Sequence, residues 1–158
     1  MMILDNINNN GSFDTNMRSG DAGKVFVKTY ATSGMVADTP YMVQWGGSGY
    51  NASVLAASNY AYVGVHEAGK ALASGCVGWT QIRGRVNNVQ GSIANCSAEQ
   101  GHGVAWVVAG FVASSSIVQG LYKVGQVGVF LEGSEATTAN ASTTMDIWLN
   151  GIWATPDS

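Results

Sequence analysis

Between Tyr60 and Gln90 the chain reads YAYVGVHEAGKALASGCVGWTQIRGRVNNVQ, three short runs of β-forming residues with glycine where each run should turn. The first run alternates Tyr60 and Tyr62 with Ala61, Val63 and Val65. The second carries Val77, Trp79 and Ile82, and Gly84 is expected to break it before Val86 and Val89. Runs of this length, rich in Val, Tyr and Trp and bounded by Gly, Asn and Ser, are strand signals. Their close repetition points to a sandwich or a barrel. Nothing in the stretch is arranged for chemistry.

The rest of the chain fits the same class. Val25 and Val27 alternate with Phe26 and Lys28, giving a strand that starts at Lys24 and ends near Tyr30. Thr39-Pro40 opens a second strand, with proline at the first position, where a missing N–H does no harm. Asn51 to Asn59 reads as a short helix capped by Asn51 or Ser53, or as an irregular crossover. His66 to Ser74 supports one helical turn at most, because Gly69 interrupts it. Gly103 to Val112 is apolar on both faces and reads as one fully buried strand. Gln126 to Glu132 alternates, and the last strand is patterned best, with Met145, Ile147 and Leu149 on one side and Asp146, Trp148 and Asn150 on the other. Asn150-Gly151 then turns the chain.

The expectation is an all-β fold: a single compact β-sandwich or barrel-like domain over residues 24–158, with at most one or two short helices. Residues 1–23 are expected to be an extended N-terminal arm. That segment is rich in asparagine and has no period, and its apolar side chains Ile3, Leu4, Ile7 and Phe13 are spaced along it. An arm of this kind either frays or lies along a partner.

The pattern of Val63-Gly64-Val65, a short Ala/Gly stretch, and then Gly75, Gly78-Trp79, Gln81, Gly84 and Val86 resembles small structural proteins of tailed bacteriophages. In particular it is similar to head-decoration, or capsid cement, proteins. The resemblance covers Tyr60 to Val104, and more loosely Ala31–Asn51 and Gly125–Gly133. It implies a virion component without catalysis, made in the host cytoplasm and bound to the major capsid protein on the outer face of the head. It also implies a small homo-oligomer, with a trimer favoured. The two chain ends match no pattern of this family.

Charge content narrows the surface chemistry. Seven basic and ten acidic side chains make up 11% of 158 residues, less than half of the ~25% usual for soluble domains. From Gly103 to Leu131 the only charge is Lys123, although edge strands are normally blunted by lysine or proline. A covering neighbour is the expected reason. The net charge is −3 with the basic residues scattered, which is no footprint for nucleic acid. The longest apolar run, Gly103 to Ala113, falls short of the ~20 residues of a membrane-spanning helix, and MMILDNINNN has no signal-peptide pattern. Neither a nucleic-acid partner nor a membrane is expected.

No reactive constellation emerges. His66 and His102 lack the spacing of metal ligands and read as surface or turn residues. No G-x-S-x-G elbow occurs. Asp38, Glu67, Glu99, Glu132, Glu135 and Asp146 read as solvated carboxylates, and Cys76 and Cys96 as buried free thiols. The chain is therefore read as a non-enzyme without cofactor, metal or catalytic residues. Candidate partner contacts are Ile3, Leu4, Ile7 and Phe13 in the arm, with Trp148 and Trp153 near the C-terminus. The alternative is a carbohydrate-binding or fibre-associated β module using Trp148 or Trp153 as a sugar platform.

Overall fold

The structure is a computed structural model that describes residues 17–45, 49–53, 62–66, 70–90, 100–101, 103–107, 110–113, 127–131 and 144–151. These residues form ten strands. They are β1 Met17–Ser19, β2 Val25–Ala31, β3 Pro40–Trp45, β4 Tyr50–Ser53, β5 Tyr62–His66, β6 Val77–Gln90, β7 Gly103–Val107, β8 Gly110–Ala113, β9 Gly128–Phe130 and β10 Thr144–Asn150. The one helical turn described is the 3-10 turn Asp21–Gly23.

Strands β2, β4, β3, β5 and β6 pair in that order, and β6 pairs back onto β2. Five strands therefore close into a barrel, and the only parallel contact among them is β2 with β4. Closure removes the free edges that an open sheet would leave on these strands. Beyond the barrel, β6 continues and pairs with β10, followed by β9, β7 and β8. One 14-residue strand is thus shared by the barrel and a sheet extension.

Alternation along β2 fills the barrel. Val27, Thr29 and Ala31 are fully buried, while Lys28 and Tyr30 are exposed. Residues opposite one another in a ladder share a face, so Thr80 and Gly78, the partners of Val27 and Thr29, also point inward. His66 pairs with Thr80 and joins them. A five-stranded barrel is narrow, and the inward residues are correspondingly small. A Cβ on Gly64 would lie 2.6 Å from Thr80 Cγ2, and one on Gly78 would lie 2.5 Å from His66 Nε2. The buried hydroxyls of Thr29 and Thr80 satisfy each other at 2.7 Å. Val43 and Ile82 pack with Val27 as one cluster, and Ala31, Met35, Tyr41 and Ala52 form another.

The extension has its own apolar face. Val86 and Val89 of β6, Met145, Ile147 and Leu149 of β10, Phe130 of β9 and Val104 of β7 are all buried. Side chains of this size contribute about 1.5–3 kcal/mol each when fully buried.

Several sequence expectations need correction. Gly84 does not end the strand. Its φ of +92°, open to glycine at little cost, lets β6 bend and run on through Gln90. Arg83 and Arg85 therefore lie on a continuous strand rather than beside a turn. Tyr50–Ser53 is a strand, not a helix start, because Asn51 and Ala52 pair with both β2 and β3. The apolar run from Gly103 is a hairpin of two strands, since Trp106 pairs with Phe111. Ser19 pairs with Val25, so the chain is already in the sheet at Met17–Ser19, within the span expected as an arm. Cys76 is exposed rather than buried, while Cys96 lies outside the described residues.

Candidate functional site

The motif that carried the family resemblance proves to be a set of packing devices. Gly78 leaves room for the ring of His66. Trp79 is half-buried on the outer wall, with the Arg18 guanidinium 4.5 Å above its ring and 4.8 Å above Phe26. This arrangement attaches β1 to the barrel by cation–π attraction. Gln81 is buried, and its Nε2 donates to the carbonyls of Arg83 at 3.0 Å and Arg85 at 2.9 Å. Those bonds hold the bend at Gly84, where a Cβ would lie 2.9 Å from the Lys24 backbone.

A polar cleft of about 310 Å³ follows this bend, lined by Asp38, His66, Gln81, Arg85, Asn87 and Asn88 among others. Its strongest groups already have partners. Arg85 Nη2 lies 2.5 Å from Asp146 Oδ2, and Asn88 N–H donates to Asp146 Oδ1 at 3.0 Å. Asp146 is only 8% exposed, so the reading of a solvated carboxylate is corrected. His66 is also buried, not a surface residue, and among the described residues neither ring nitrogen has a hydrogen-bond partner. Among the described residues, no group of three His, Cys, Asp or Glu side chains is placed to hold a metal ion.

The opposite character appears on the outer wall of the barrel. Tyr30 is 45% exposed and Val77, its partner across the ladder, 54%. A shallow cleft of about 350 Å³ lies on this wall, lined by Lys28, Tyr30, Asn51 and Val77 together with Thr29, Gly49 and Tyr50. The rings of Trp45, Tyr50 and Tyr62 lie on the other face of the strands, because Tyr50 is in register with Thr29 and Trp45 with Tyr50. Tyr50 and Tyr62 pack against Val27, Val43 and Ile82, and Trp45, 49% exposed, stands edge-on to Tyr50 with ring centroids 5.1 Å apart. Sequence reasoning missed this wall. The available signal was the alternation in β2, which puts Lys28 and Tyr30 on the face opposite Val27 and Thr29.

Of the expected partner contacts, Trp148 alone falls among the described residues. It is half-buried in β10, opposite Arg85 and Val129, and its Cη2 lies 4.0 Å from where a Cβ on Gly23 would stand. Ile3, Leu4, Ile7, Phe13 and Trp153 lie outside the described residues, as does His102.

No family model matches this chain, and no curated protein does. Among solved structures it is similar to the head fiber gp8.5 N base of bacteriophage phi29. The TM-score is 0.49 at 14% identity, over 85% of this chain and 99% of that one. A likeness at that level leaves the function of this chain to its own residues.

Proposed function

We propose that this chain is a structural protein of a bacteriophage virion, an auxiliary decoration protein bound to the major capsid protein on the outside of the head. The observation that carries the reading is the end of the sheet extension. Among the described residues β8 pairs with β7 alone, and Gly110–Ala113 contains neither a charge nor a proline. Such an edge is a template for another strand, and it lies within the Gly103–Leu131 stretch, whose only charge is Lys123. Covering it with another copy gives a homo-oligomer, which is the favoured trimer where β8 meets a different edge of the next subunit around a three-fold axis. The sequence resemblance to head-decoration proteins points the same way.

In this reading Ile3, Leu4, Ile7 and Phe13 reach a neighbouring coat or decoration subunit, and Trp148 and Trp153 supply further contact area. A subunit that touches two or more coat proteins gains avidity from linked contacts and raises shell stability by mass action. The chain acts as a clamp without catalysis or cofactor.

The test is an add-back experiment. Heads assembled without the chain are incubated with the purified protein, sedimented and heated. Stoichiometric binding and a higher shell-melting temperature are expected. Heads that neither retain the protein nor gain stability contradict the reading.

A further inference from the structure

We propose that the outer-wall cleft between β4, β2 and β6 is a carbohydrate-binding site, centred on Tyr30 and Asn51. The cleft is about 350 Å³, at the small end of the range for sites that hold a small ligand. Its composition suits a sugar. Tyr30 is half exposed with Val77 beside it, and Asn51, its partner in β4, stands on the same face. Aromatic faces are electron-rich, so they pack against the C–H faces of a pyranose ring. Asn51 and Lys28 stand at the same cleft. An amide both donates and accepts hydrogen bonds and an ammonium donates three, which matches the paired donor and acceptor character of sugar hydroxyls.

The topology argues against a peptide strand as occupant. Along this wall β2 is hydrogen-bonded to β4 on one side and β6 on the other. An extended chain would find no free backbone groups there to extend the sheet, and strand addition needs them. A ligand that binds through ring stacking and hydroxyls has no such requirement. Among the described residues, Lys28 is the one charged residue lining the cleft, so neutral sugars and sugars carrying a single acid are both compatible.

The experiment uses the full-length protein on a glycan microarray that includes bacterial surface polysaccharides. Titration calorimetry follows with the best-bound oligosaccharide, for wild type, Tyr30→Ala, Asn51→Ala and Trp148→Ala. Thermal melts establish that each variant is folded. Tyr30 and Asn51 are chosen because neither belongs to the buried core. The expected result is binding by wild type and by Trp148→Ala, with affinity lowered about tenfold or more in Tyr30→Ala and Asn51→Ala. No binding to any glycan overturns the proposal. So does sugar binding that survives in both cleft variants, or that is lost in Trp148→Ala alone.

Discussion

Arg85 Nη2 lies 2.5 Å from Asp146 Oδ2 across the β6–β10 ladder, where two residues of β6, Asn87 and Asn88, stand against the single Asp146. Asn88 adopts a φ of +56°, a left-handed conformation that asparagine tolerates better than most residues. The Asp146 carboxylate accepts its N–H. The carboxylate therefore fixes a β-bulge, and with it the register between barrel and extension. Asp146→Ala is expected to lower stability by about 1–3 kcal/mol, because it orphans a partly buried donor. Arg85→Ala should cost less, since the Arg85 side chain is 56% exposed and solvent screens its share of the pair. Urea melts of the two variants check the order.

The barrel interior gives a sharper test. Gly64→Ala and Gly78→Ala drive a methyl group against Thr80 and His66 respectively, and each should cost about 1–3 kcal/mol through overpacking. A Cβ on Gly49 meets nothing within 4 Å, so Gly49→Ala should stay within about 0.5 kcal/mol of wild type. Equal melting temperatures for all three would mean that the barrel is wider than described.

Thr29 and Thr80 provide a double-mutant cycle inside the same barrel. Thr29→Val alone leaves the Thr80 hydroxyl without its 2.7 Å partner, at a cost of about 1–3 kcal/mol. Replacing both by valine should recover most of that loss, because no unpaired hydroxyl remains. A double variant as unstable as the sum of the two singles would argue against the bond.

These devices were legible in the sequence to very different degrees. Period-2 alternation announced β2 and β10 nearly to their ends, because each sets a fully buried row of side chains against a less buried one; β3 is buried on both faces from Pro40 to Val43, and its proline marked its start. Closure of the barrel was not legible. It depends on β6 pairing with both β2 and β5, a long-range relation that no local pattern encodes. Gly84 misled for a physical reason: in sequence it marks a break, whereas in the fold Gln81 supplies the hydrogen bonds that let the strand pass through it. Trp79 stands in the second strand run with no local sign of which way it faces, and Arg18 covers it from outside. Trp79→Ala should accordingly cost less than the ~3–5 kcal/mol of a fully buried aromatic. The outer wall around Tyr30 went unread because tyrosine on a strand looks alike whether it faces in or out.

Assembly through β8 predicts its own variants. Val112→Lys and Ala113→Lys each add to β8 the lysine that normally blunts a strand edge. The wild-type chain should sediment as an oligomer at micromolar concentration. A lysine variant with an unchanged melting curve should shift toward monomer. A wild-type monomer would remove β8 as the self-association edge.

The most direct test of the proposed structural role is an electron cryomicroscopy reconstruction of phage particles purified from a lysate that contains this chain. The account predicts density for the five-stranded barrel on the outer surface of the head, grouped in threes, with the β8 edge of each copy against the next copy in the group. Particles whose heads carry no such density, from a lysate in which the chain is abundant and soluble, would contradict it.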